Sequence, residues 1–120
     1  MGKTILVADD SPMALNVLVN ALRKNGYEAI PAVDGEEAIE KAQAEQPVLL
    51  ICDVVMPKKN GFQVARHLKT QAQTKAIKIL LVSSKNQESD KFWGLKQGAD
   101  EYLTKPFDEQ SLLKAVARLT

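Results

Sequence analysis

Short apolar runs alternate with amphipathic stretches along the whole chain, and that alternation limits the fold more than any other feature. Thr4 to Ala8 (TILVA) reads as a buried strand. Ser11 then offers a helix-capping hydroxyl, and Pro12 takes the first helical position, where its missing N–H goes unnoticed. Leu15, Leu18 and Leu22 recur at helical spacing, and Gly26 closes that helix. Tyr27 to Ala32 reads as a second strand, and Asp34 to Glu45 as a helix with Ala38, Ile39 and Ala42 on its apolar stripe. Pro47 breaks it. Val48 to Cys52 (VLLIC) is the most apolar segment, the pattern of a central strand buried on both faces. After a loop with Pro57 and Gly61, the pattern predicts a helix over Phe62 to Thr70, a strand over Ile77 to Val82 and a helix over Glu88 to Gln97. A short strand over Glu101 to Thr104 follows, and Asp108 caps a last helix to Leu119.

Strands alternating with helices imply a parallel sheet covered on both faces, because parallel neighbours need a crossover. Five strands and five helices fit the flavodoxin-like (βα)5 doubly wound order 2-1-3-4-5. No linker, repeat or low-complexity stretch divides the sequence, so the expectation is one α/β domain over residues 1–120. Such an order places ligands beyond the carboxyl ends of the strands, at the switch point between strands 1 and 3.

The bulk properties remove other classes. Sixteen basic and 15 acidic residues leave a net charge of +1, which gives no support to nucleic-acid or anionic-membrane binding. No apolar run approaches the roughly 18 residues of a membrane span. A single cysteine, Cys52, allows no internal disulfide and no Cys-pair metal site. These features lead to the expectation of a cytoplasmic protein.

The polar residues at the predicted carboxyl ends form a set. Strand 1 ends in Asp9-Asp10, strand 3 in Asp53, strand 4 in Ser83-Ser84 and strand 5 in Lys105-Pro106. Alone, each is an ordinary turn or cap residue; together, on one edge, they pose a chemical problem. Two unit charges about 4 Å apart interact by roughly 4 kcal/mol at an effective dielectric of 20, so three carboxylates there need a cation. An all-oxygen site suits Mg²⁺, which takes one or two carboxylates, waters and phosphate oxygens. A carboxylate beside such an ion is a nucleophile toward phosphorus. Lys105 and the Ser83 hydroxyl then suit the equatorial oxygens of a transferring phosphoryl group.

These motifs resemble the receiver family of two-component signalling, typified by the chemotaxis response regulator. The resemblance covers the whole chain: Asp9-Asp10, Asp53-Val-Val-Met56-Pro57 with Gly61, Ser83, and Tyr102-Leu-Thr-Lys105-Pro106-Phe107. It implies that Asp53 is the phosphoacceptor, that Asp10 and Asp53 ligate Mg²⁺ directly, that Asp9 does so mostly through water, and that the Val55 backbone carbonyl is a further ligand. It implies that Lys105 pairs with the phosphoryl group, that the peptide before Pro106 is cis, and that Ser83 and Tyr102 are the switch pair. A sensor histidine kinase would be the donor. The product would be a phosphorylated switch rather than an enzyme acting on a metabolite, since the chain would catalyse only its own phosphorylation and dephosphorylation. With no output segment after Leu119 in this sequence, the expected output of this monomer is contact with a downstream protein, or service as a phosphate sink or relay. The expected contact face is helix 4, strand 5 and helix 5, including Lys91, Leu95 and Tyr102. Trp93 to Ala99 (WGLKQGA) also resembles stand-alone regulators of type IV pilus chemosensory systems.

Three other classes compete. A haloacid-dehalogenase-like phosphatase resembles a pattern with a second Asp two residues past the nucleophile, where this chain has Val55. A flavodoxin-like cofactor binder needs a phosphate-cradling loop after strand 1, where Asp9-Asp10 would repel phosphate. A non-phosphorylated interaction scaffold leaves the acidic cluster unexplained. Elsewhere, Cys52 is expected in the core, His67 on a helix away from the active edge, and Lys58-Lys59 as solvated loop charge. Trp93 is balanced between packing and exposure. Val55 and Lys85 lie two residues past Asp53 and Ser83. Fast-resetting chemotaxis regulators, by resemblance, carry polar or acidic groups there, so slower self-dephosphorylation is expected of this chain.

Overall fold

Each apolar run forms a strand and each amphipathic stretch a helix. The order is β1 (Thr4–Ala8), α1 (Pro12–Lys24), β2 (Glu28–Ala32), α2 (Gly35–Glu45), β3 (Leu49–Asp53), α3 (Gly61–Lys69), β4 (Lys78–Ser83), α4 (Glu88–Lys96), β5 (Glu101–Thr104) and α5 (Glu109–Leu119). They belong to a computed structural model that describes residues 3–85 and 87–120. All strand pairings are parallel, and the sheet order is β2-β1-β3-β4-β5. Pro31 lies in β2, which is an edge strand, the place in a sheet where a residue without N–H is tolerated.

The pleat of β3 divides the core. Leu49 and Ile51 pack with Leu15, Leu18 and Leu22 of α1 and with Leu112, Ala115 and Val116 of α5. Leu50 and Cys52 face the other way, toward Ala38 and Ala42 of α2 and Val64, Ala65 and Leu68 of α3. Every residue of β3 is buried, as expected of a central parallel strand. The strand is displaced by one residue from the expected span. Val48 is 41% exposed, because the registered pairs with β1 and β4 begin at Leu49, while Asp53 is the last strand residue. Leu50 is fully enclosed in this layer. Leu50→Ala is therefore expected to lower unfolding free energy by about 2–5 kcal/mol, read from urea denaturation.

The helix starts follow local capping chemistry. Ser11, Asp34 and Asp108 each accept an N–H bond from the first turn of α1, α2 and α5. The third helix begins one residue earlier than expected. Asn60 accepts from the Gln63 N–H at 2.9 Å while the Gln63 side chain accepts from the Asn60 N–H at 2.8 Å, a reciprocal cap. One loop expectation is corrected. Lys58 is exposed loop charge, as expected, and its ammonium also lies 3.6 Å from Asp34 Oδ2 and 3.7 Å from Glu36 Oε1. Lys59, by contrast, is partly buried, its backbone against Gly35. Among the described residues, no helix is long and apolar enough to cross a membrane.

Candidate functional site

Parallel strands end on one edge, so residues far apart in sequence meet there. Asp9 follows β1 and is 1% exposed; Asp53 ends β3 and is 9% exposed; Asp10 is exposed at the rim. One carboxylate oxygen from each lies within 4.8 Å of the others. Lys105 follows β5, its N–H donating to the Ser83 carbonyl at 2.8 Å. Its ammonium donates to Asp9 Oδ2 at 3.1 Å and lies 3.5 Å from Asp53 Oδ2. The Lys105–Pro106 peptide is cis, as the resemblance implied. The remaining oxygens take backbone donors: Asp9 Oδ1 accepts from the Ser11 N–H at 2.9 Å, and Asp53 Oδ1 from the Val55 N–H at 3.4 Å.

The charges do not balance internally. Burial raises the Asp53 carboxyl above the ordinary aspartate range; Lys105 pulls it down, but burial and the neighbouring Asp9 prevail. Burial also works against the Lys105 ammonium, yet Asp53 and Asp9 outweigh it and hold that group protonated above its usual range. One ammonium thus pairs with two of the three carboxylates, Asp9 and Asp53. The donor set is all oxygen, it is partly buried, and it carries excess negative charge, which suits a hard divalent cation such as Mg²⁺. Soft or imidazole-preferring metals find no ligand in it.

The structure brings Ser83 and Tyr102 to the same corner through a third residue. Ser83 is fully buried, and its Oγ accepts from the Lys85 N–H at 3.1 Å. The Tyr102 hydroxyl donates to the Lys85 carbonyl at 2.9 Å. Sequence reasoning singled out Lys85 for its side chain and missed this backbone link, which depends on how β4 and β5 are registered. Lys105 also borders an apolar cleft of about 570 Å³ lined by Met13, Val17, Pro106 and Phe107.

Other residues fall outside the cluster. Cys52 is fully buried and its thiol is pushed far up by burial, so it is a core residue. His67 sits on α3 beside Glu36, Ile39 and Lys59, away from the carboxylates. Trp93 is 52% exposed on α4, and Gly94 is the one residue of that helix fully turned inward.

The response regulator receiver domain family matches residues 5–117. The chain belongs to the receiver family. Protein PilH of Pseudomonas aeruginosa is 45% identical to this receiver over 112 residues, 93% of each chain. The chemotaxis protein CheY4 of Vibrio cholerae superposes with a TM-score of 0.94 at 33% identity, over the full length of both chains. The receiver domain of sensor histidine kinase PA1611 from Pseudomonas aeruginosa was solved with magnesium coordinated in its active-site cleft. It matches at a TM-score of 0.91 and 25% identity, over 99% of this receiver and 98% of that chain. The receiver spans about half the length of the longer transcriptional regulators it also matches, 50% in one and 54% in another. Receivers are phosphorylation-activated switches of two-component signalling, and this is the function class of the chain. The PilH and CheY4 likenesses support a setting in chemotaxis or motility.

Proposed function

We propose that residues 1–120 act as one receiver domain in which Asp53 accepts the phosphoryl group from a sensor histidine kinase. The observation that carries this is Asp53 itself, a carboxylate at the end of the central strand, within 4.8 Å of two others and 3.5 Å from the Lys105 ammonium. Asp10, Asp53 and the Val55 carbonyl would hold Mg²⁺ directly and Asp9 through water. Bound there, the ion supplies positive charge to the carboxylates and to a phosphoryl oxygen.

The chain's own residues then do the following. An Asp53 oxygen attacks phosphorus as the donor's P–N bond breaks; the electron pair of that bond stays on the imidazole nitrogen. Lys105, already anchored by Asp9, pairs with the phosphoryl oxygens as Asp53 loses its charge to the new bond. The Ser83 hydroxyl turns from the Lys85 N–H toward the phosphoryl group. That movement frees the backbone of Lys85, whose carbonyl holds the Tyr102 hydroxyl, so Ser83 and Tyr102 shift together. The reading face is α4, β5 and α5, with Lys91, Leu95 and Tyr102, and the target is a downstream protein. Locating the acyl phosphate tests this: borohydride reduction of the phosphorylated chain should convert Asp53 alone to homoserine. Conversion at another aspartate instead would overturn the assignment.

The lifetime of the phosphorylated form follows from the mouth of the site. Val55 is 56% exposed and has no hydrogen-bonding side chain; Lys85 is exposed and offers donors only. Neither accepts a proton from a water approaching in line with the Asp53–phosphorus bond. Val55→Asn combined with Lys85→Glu is expected to dephosphorylate several-fold faster than the parent in a decay time course. An equal or slower rate would remove these two side chains from the account.

A further inference from the structure

The segment from Val54 to Asn60 joins β3 to α3 and carries Val55 at the mouth of the site. It is held from two sides. On the sheet side, the Gly61 N–H donates to the Val54 carbonyl at 2.8 Å, and a Cβ at Gly61 would stand 2.6 Å from the Asp53 carbonyl oxygen. On the other side stands the N-terminus of α2. A Cβ on Gly35 would overlap the Lys59 carbonyl oxygen and come within 2.7 Å of the Lys59 carbonyl carbon and Cβ. Gly35 is not in the left-handed region, so it is glycine for space: the backbone of residue 59 lies where any side chain would be.

Lys58 adds a second tie. Its φ of 70° is left-handed, a conformation disfavoured for a residue with a Cβ. Such a residue persists only when its surroundings determine it. Here the Lys59 N–H closes the turn on the Pro57 carbonyl at 2.8 Å, and the turn faces the first turn of α2, where the Lys58 ammonium lies 3.6 Å from Asp34 Oδ2 and 3.7 Å from Glu36 Oε1. Asp34 is itself fixed, because its Oδ1 caps α2 by accepting the Glu37 N–H at 2.8 Å. The left-handed turn at Lys58 and the close approach at Gly35 thus dock the β3–α3 segment on one rigid helix end.

We propose that the N-terminus of α2, through Gly35 and Lys58, sets the position of the β3–α3 segment and thereby the Mg²⁺ affinity of the acidic site. Both are positioning residues; neither touches the ion or the phosphoryl group. The inference rests on the reading of Asp10, Asp53 and Val55 as ligands. Supporting contacts of this kind, when lost, typically weaken metal binding by about 10–100-fold.

The test is Mg²⁺ titrated into the metal-free chain and followed by backbone amide NMR shifts, with melting temperatures of the metal-free variants as a separate readout. Gly35→Ala is expected to bind at least about tenfold more weakly. Lys58→Met is expected to bind several-fold more weakly, and Lys58→Arg close to the parent. The Lys58→Met result has a sign that charge alone does not produce: removing a positive charge near an acidic site raises cation affinity, so weaker binding reports geometry. In metal-free Lys58→Met, the amides of residues 54–60 should shift while those of β1 stay. Parental or tighter binding by Lys58→Met overturns the proposal, even if Gly35→Ala fails to fold. Asp10→Ala separates the two levels. If it binds as the parent does, the ligand reading fails and this proposal with it. If it loses binding while Lys58→Met keeps it, this proposal alone fails.

Discussion

Asp53→Asn is expected to take up no phosphoryl group from acetyl phosphate and Mg²⁺, while the parent gains one by intact mass. The amide nitrogen and oxygen carry no charge to share with phosphorus, and the nucleophile is lost outright. The same substitution should stabilise the metal-free fold at neutral pH. The folded Asp53 carboxyl titrates above its ordinary value, chiefly because of burial. An acid raised in this way contributes stability below its unfolded value, and that contribution is lost as pH rises through the folded value. At pH 7 the ionised carboxylate therefore opposes folding, and the amide removes the opposition. The advantage of Asp53→Asn should shrink as pH falls through the raised folded value and be gone below the ordinary aspartate value of 3.8. A variant less stable than the parent at pH 7 without metal would show that Lys105 outweighs burial and Asp9 after all. A variant labelled as strongly as the parent would remove Asp53 as acceptor.

Asp10→Ala is expected to abolish stabilisation by Mg²⁺. An ion that binds only the native state adds RT ln(1 + [Mg²⁺]/Kd), about 2.7 kcal/mol at a concentration of 100 Kd. For a domain of this length that is a rise in melting temperature of roughly 10 °C. Asp10 is exposed, so its removal leaves no cavity, and it relieves repulsion from Asp9 and Asp53. The metal-free variant should therefore melt no lower than the metal-free parent, yet gain almost nothing on adding Mg²⁺. A full Mg²⁺-induced rise surviving in Asp10→Ala would exclude Asp10 as a ligand. The competing phosphatase reading needs an acid two residues past Asp53; the side chain there is the half-exposed Val55.

The chain by itself determined the elements, their order and which polar residues would meet at the carboxyl ends of the strands. Periodicity and turn chemistry are local properties, so Leu15, Leu18 and Leu22 marked α1 and Ser11-Pro12 marked its start. A run as apolar as VLLIC has only the middle of a parallel sheet to occupy, and once five such strands point the same way, Asp9, Asp10, Asp53, Ser83 and Lys105 must share an edge. What the tertiary structure alone decided are the contacts between elements whose partners lie far apart in the chain. Nothing near Lys58 in sequence reveals that it reaches Asp34 and Glu36, because the pairing exists only when the β3–α3 segment folds over the end of α2. Nothing near Ser83 and Tyr102 shows that the backbone N–H and carbonyl of Lys85 serve one each, because that depends on the register Ser83↔Thr104 between β4 and β5. The protonation balance of Asp53 belongs here too: burial and Asp9, 44 residues away along the chain, act against Lys105, 52 residues away, and only the folded structure brings them together.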